Sequence, residues 1–275
     1  MRDDAHPPDS AAAARSKRRR IMIGVFIALC LVGGVAWWTR GMDKKAGEGD
    51  KAVASAKTAA SDGAAASDGA APAKTPESDS KRAKAEERRI IEAQQAARRM
   101  GAIQNVKIIG VALFEFDNEY GSFPNEETAK AVREATGTAF KLEGGTSNDY
   151  FRQLLATGIK TERMFQFGQP DKPADDKFAS EAEALAPGEC DFAYLPGGSA
   201  SGDPGRPLVI GPMVPGKMEF DPTTFGGKAV VLRADNSATF LPINEKGEVI
   251  VNGKNLLDPG NEYWGGKEPQ VALPK

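Results

Sequence analysis

The sequence predicts an α+β fold: a long amino-terminal helix packed on a small antiparallel sheet, preceded by a single transmembrane helix and a disordered linker. Three observations predict it. Met100, Ile103, Val106, Ile109, Leu113, Phe116 and Tyr120 recur at steps of three and four, so an apolar stripe runs along one helix and must be buried. The last third of the chain divides into short β-prone runs separated by turn residues. Residues 21–38 are apolar and carry no charge, a length that reaches roughly 27 Å as a helix and matches the hydrocarbon layer of a bilayer.

The elements follow in chain order. Residues 1–20 form a polar tail that closes on Arg15, Lys17, Arg18, Arg19 and Arg20, whereas only Arg40, Lys44 and Lys45 follow the apolar span closely. The positive-inside rule therefore puts this tail in the cytoplasm and everything beyond residue 38 outside it. Trp37 and Trp38 suit the far interface, and the absence of a small-residue cleavage site favours a retained anchor over a signal peptide. Residues 39–80 are Ala, Ser, Gly, Asp, Lys and Pro with little to bury, so they read as a tether. As a flexible coil of about 40 residues it would span about 35 Å.

The predicted domain covers residues 81–275. Residues 81–99 favour helix by propensity, with a solvated first part that includes Arg98, and the stripe then continues the helix to Tyr120. Gly121 fits a left-handed stop and Pro124 forbids continuation. Asn125 caps a second helix with Glu126 and Glu127 in its first turn, running to about Ala135 before Gly137. Ser147 or Asn148 caps a third, whose buried face is Tyr150, Phe151, Leu154 and Leu155 and which ends at Gly158. Residues 168–189, with Pro170, Pro173 and Pro187, read as a surface loop with a short helix at about 181–185. Strands are expected over 191–195, 207–211, 228–234, 237–243 and 248–251, with tight turns at Asp235-Asn236 and at 244–247.

Chemistry is sparse. The chain has 275 residues, a formal net charge of -2 and 27% charged residues, which gives no reason to expect nucleic acid. Its single histidine, His6, lies in the basic tail, so the domain lacks the commonest general base and metal ligand. Cys30 and Cys190 are expected in different phases, and Cys190 has no histidine partner, which makes it an inert thiol and not a nucleophile. The pairs Gly197-Gly198, Gly226-Gly227 and Gly265-Gly266 lack the residues of phosphate-binding loops and read as turns. Tyr263 and Trp264, in a Gly-rich loop, read as cover for a core edge, with contact to a partner as the alternative. Asp171, Asp175 and Asp176, and separately Asp258, Asn261 and Glu262, supply oxygens for a hard cation but have no EF-hand spacing, so both read as solvated loops. No catalytic residues, no cofactor-binding residues and no metal ligands are therefore assigned, and a carboxylate enzyme, which needs two acids converging in a cleft, has no support in the spacing.

Two stretches carry a resemblance. The helix closing on Asp117-Asn-Glu-Tyr-Gly-Ser-Phe-Pro124 resembles the end of the long helix in type II secretion pseudopilins (G-type) and related pilin-like proteins. The run from Phe225 to Asp235-Asn236 resembles the carboxy-terminal hairpin of pilin-like bacterial proteins marked by His, nine residues, then Asp-Gly; Asp235 matches, while Phe225 replaces the His and Asn236 the Gly. The tether and the absence of a Phe-Thr-Leu-Ile-Glu-like processing site depart from the pilin pattern. The resemblance implies a non-enzymatic, single-pass protein of the bacterial inner membrane with a periplasmic pilin-like domain. Its partners would be the membrane and the proteins of a type II secretion or type IV pilus-like assembly. It also points to calcium at Asp258, Asn261 and Glu262, as in the carboxy-terminal loop of pseudopilins. The alternative is an extracytoplasmic module binding glycan or peptide on the sheet or in the 168–189 loop.

Overall fold

The computed structural model describes residues 76–168 and 173–275. The expected tail 1–20, transmembrane helix 21–38 and all but the last residues of the linker 39–80 lie outside the described residues. Among the described residues no helix is long and apolar enough to cross a membrane. They belong to a compact unit, Lys74–Lys275, of α+β architecture.

Helix α1, Pro76–Tyr120, is 45 residues long. The helix stops as its sequence demands: Gly121 takes φ 81°, and its N–H bonds the Asp117 carbonyl at 2.7 Å. The Tyr-Gly-Ser-Phe-Pro turn is then docked, since the Phe123 N–H donates to the Gly198 carbonyl (3.1 Å) and the Tyr194 hydroxyl to the Pro124 carbonyl (2.9 Å).

Val106, Ile109, Leu113 and Phe116 are buried as the stripe requires, but its upper end differs. Met100 is 60% exposed, and Ile103 and Tyr120 are half-buried. The reason is a close backbone approach. A Cβ on Gly101 would lie 2.3 Å from the Gly168 Cα, so at this level the helix presents Gly101 and Ala102 inward and the bulky Met100 is turned out. Arg98, expected on the solvated part, is half-buried beside the same loop.

Helix α2 (Glu126–Thr136) is capped by Asn125, whose side chain accepts from the Glu127 and Thr128 N–H groups, and closed by Gly137 at φ 65°. Helix α3 (Ser147–Ala156) is capped by Thr146 and not by Ser147 or Asn148, because Thr146 and Asp149 form a capping box. Its expected apolar face is buried, and Ser147, Asn148, Asp149, Arg152 and Gln153 are buried as well. After a short 3-10 turn, Arg163–Phe165, the loop to the sheet contains hydrogen-bonded turns over 181–185 where a short helix was expected; Leu185 has φ 45°, which breaks helical progression.

The sheet is an antiparallel meander in the order β1-β2-β3-β4, formed by Ala193–Tyr194, Pro207–Gly211, Lys228–Arg233 and Ala238–Pro242. Strands β5 (Ile250–Val251) and β6 (Lys254–Asn255) make a separate pair. The β3–β4 turn uses one left-handed residue, Asn236 at φ 63°, with the Arg233 N–H donating to the Ser237 carbonyl at 2.9 Å. Gly247 at φ 72° does the same in the next hairpin, so Asn236 occupies a position that glycine fills without strain.

Both faces of the sheet are covered. Val230 and Leu232 join α1, α2 and α3 in one core, whereas Ala229 and Val231 join Met213, Phe220, Val249, Leu256 and Trp264 in a second. Trp264 closes that second layer, its indole N–H donating to the Leu256 carbonyl (2.7 Å) and its ring lying 5.4 Å from the Arg206 guanidinium carbon. The chain end protects the free edge of β1: Tyr194 and Ala272 exchange backbone hydrogen bonds at 2.9 and 2.8 Å.

Truncating Ile109 or Leu113 to alanine is expected to cost about 2 to 5 kcal/mol, because methyl groups leave a packed core. Met100→Ala is expected to stay within about 0.5 kcal/mol. Denaturant unfolding of the three variants, followed by the near-ultraviolet signal of the core aromatics, checks the contrast.

Candidate functional site

Among the described residues, the acids that the sequence grouped are engaged by neighbouring donors. Asp171 lies outside the described residues. Asp176 accepts from the Thr161 hydroxyl (3.0 Å) and the Glu162 N–H (2.8 Å) and pairs with Arg163 (3.1 Å), while Asp175 pairs with Lys177 at 2.9 Å. Asp258 accepts from the Gly260 N–H (2.6 Å) and Glu262 from the Asn252 amide (2.7 Å), and Asn261 is buried with its amide donating to the Asn255 carbonyl (3.3 Å). Asp175, Asp258 and Asn261 hold contacts within their own turns, whereas Asp176 and Glu262 tie their loops to neighbouring segments.

Cys190 is buried, 3.4 Å from the Ser147 hydroxyl, and burial pushes its thiol up to about 12, which leaves it protonated and unreactive at neutral pH. Phe225, which stands where the hairpin it resembles carries histidine, is fully buried with its ring 4.7 Å from Phe167 and 5.8 Å from Phe240, so its role is packing. Asp235 accepts from the Ser237 N–H at 2.8 Å, and the Ser237 hydrogen bond holds its carboxyl below the usual range.

A different cluster of acids does form. Glu162, Asp175 and Glu189 each bring a carboxylate oxygen within 4.8 Å of the others. Glu162 and Glu189 are buried and Asp175 is exposed. Glu162 stands just before the 3-10 turn, and its Oε1 accepts from the Leu185 N–H at 2.6 Å; Glu189 Oε2 accepts from the Ala186 N–H at 2.8 Å. The buried polar residues of α3 complete the support, because Arg152 Nε donates to the Ala184 carbonyl (2.6 Å) and the Asn148 amide to the Leu185 carbonyl (2.9 Å). Burial raises the Glu162 carboxyl to about 7 against the opposing Leu185 hydrogen bond, with Glu189, Asp175 and Asp176 adding to the rise. Sequence reasoning missed Glu162 and Glu189, since the three acids come from positions far apart in the chain and share no motif.

Two surfaces stand apart from this cluster. An open groove of about 420 Å³ runs between Phe167, Met213 and the chain end, with Arg98 and Lys275 opposed by Asp191 and Asp221. The amino-terminal part of α1 is the other: residues 80–94 are exposed without exception, Ile90 and Ile91 at 54% and 45%. The groove carries mixed charge, and neither it nor the 450 Å³ groove near Phe220 is lined by the carboxylate cluster.

The model of a family described as "Protein of unknown function (DUF1559)", associated with pilin-like and pseudopilin-like proteins, matches residues 92–156, less than half of the 275 residues. The match begins near the docked part of α1 and takes in α2 and α3. Neither the curated proteins nor the solved structures yielded a match.

The raised Glu162 carboxyl sets a pH dependence. Its protonated form is favoured on folding, so the stabilisation is complete below the ordinary value of 4.5 and is lost as pH rises through about 7. In buffer free of divalent cations, unfolding free energy is expected to fall across that window, and Glu162→Gln, which keeps an acceptor for the Leu185 N–H, is expected to flatten the fall. Denaturant melts of both proteins between pH 4.5 and 8 check it.

Proposed function

We propose that this protein is a single-pass, inner-membrane-anchored, pseudopilin-like component of a bacterial envelope that acts without catalysis, through protein contacts in a type II secretion or type IV pilus-like assembly. In this reading residues 1–20 are cytoplasmic, residues 21–38 span the membrane, and the domain stands in the periplasm at the end of its tether. One observation carries the proposal: α1 is a single 45-residue helix of which only the carboxy-terminal part is committed to the core. A solvated helix gains little from burial within its own domain, yet this one keeps Ile90 and Ile91 facing water beside a run of Arg, Glu and Gln. An arm of this kind offers apolar anchors and flanking charges to a partner surface. The family match over residues 92–156 supports the same reading.

The test is made in membranes of the source bacterium. A photo-cross-linking residue at position 91 is expected to capture secretion or pilus-assembly proteins, and the same residue at exposed Lys130 on α2 is not. Capture from neither position, or equal capture from both, contradicts the proposal. A periplasmic reporter fused after Lys275 is expected to be active on a protein that retains its first 20 residues. A mature chain beginning after Trp38 contradicts the anchor.

A further inference from the structure

We infer that Glu162, Asp175 and Glu189 form a calcium site that fastens the loop between α3 and the sheet. Acidic groups often gather without a ligand, but here one of them is left incomplete by the fold. Glu162 is fully buried; its Oε1 takes the Leu185 N–H, and its Oε2 is shielded from solvent with no hydrogen-bond partner among the described residues. A buried carboxylate oxygen without a donor costs stability, and a cation among neighbouring carboxylates removes that cost.

The chemistry of the donors selects the ion. All three are carboxylates with no nitrogen or sulfur among them, which favours a hard cation over zinc or copper. The ligating oxygens lie within 4.8 Å of one another. Calcium accepts oxygens in flexible geometry and variable number, whereas magnesium demands near-octahedral order. Glu162 and Glu189 are held from outside the site by the Leu185 and Ala186 N–H groups, while Asp175, on the exposed side, is the ligand that closes over the ion and leaves room for water. The ion would join the segment before the 3-10 turn to both ends of the 173–189 loop. The site is separate from the Asp258, Asn261 and Glu262 loop, whose side chains accept from or donate to Gly260, Asn255 and Asn252.

The test uses the full chain in detergent after chelation. Equilibrium dialysis with radioactive calcium is expected to show one saturable site, with magnesium a weak competitor. Glu162→Gln and Asp175→Asn are each expected to weaken binding by more than about ten-fold, and Asp258→Asn to leave it unchanged. Calcium is also expected to slow cleavage after exposed Lys177 by a lysine-specific protease in the parent chain and not in the two variants. No saturable calcium binding, binding that survives in both variants, or binding lost with Asp258→Asn and kept in Asp175→Asn overturns the inference. If Glu162→Gln fails to fold, Asp175→Asn, at an exposed position, decides alone.

Discussion

The packing of Val106, Ile109, Leu113 and Phe116 on the Val230 and Leu232 face of the sheet is the contact on which the rest of the domain depends. Helices α2 and α3 fill the same core, and the docked turn after Tyr120 fixes where they begin. Close approach sets the position of the helix on its neighbours. Gly101 lies against Gly168, and a Cβ on Gly110 would meet the Asn236 side chain at 2.0 Å and Leu232 at 3.2 Å. Small residues here let the helix sit low on the hairpin, so the large side chains on either side of them reach the core.

The long loop after α3 is held by a different kind of force. Its turn at 184–186 receives hydrogen bonds from Arg152 and Asn148 and gives its N–H groups to Glu162 and Glu189. Arg152 is balanced by Asp149 at 2.8 Å, so this buried pair comes with its remaining donors satisfied by backbone carbonyls. Calcium among Glu162, Asp175 and Glu189 would give the buried Glu162 Oε2 a partner and make loop order depend on an external ion.

What was legible in the sequence follows from how local each signal is. The helix stop at Gly121, the Asn125 cap, strand β2 and the hairpin turns rest on a few adjacent residues, and the structure has them there. Met100 shows where periodicity fails: a regular three-and-four stripe cannot reveal that Gly168 approaches so closely that glycine and alanine, not methionine, face inward. The Thr146 cap was hidden by Ser147 and Asn148, equally good capping residues one and two places on, and only the partner Asp149 at the right spacing distinguishes it. The second core was missed because it depends on irregular chain between β2 and β3 and after β4 folding over the sheet, with no periodic signal of its own. The carboxylate cluster is a matter of convergence in space: the sequence pointed to Asp175 but held no signal that joins it to Glu162 and Glu189.

The two parts of α1 link fold to function. The segment after Ala102 draws its stability from the core, whereas residues 80–94 have only their own helix propensity and side-chain pairs, which are marginal for a segment of that length in water. Amide hydrogen exchange along α1 in the full chain is the most direct measurement of this division. Amides from Val106 to Phe116 should exchange only through global unfolding, those of residues 80–94 should exchange orders of magnitude faster, and protection of the latter should rise when assembly partners are bound. Uniform protection along the whole helix without a partner, or rapid exchange from Val106 to Phe116, would contradict a domain built on one half of a helix that displays the other.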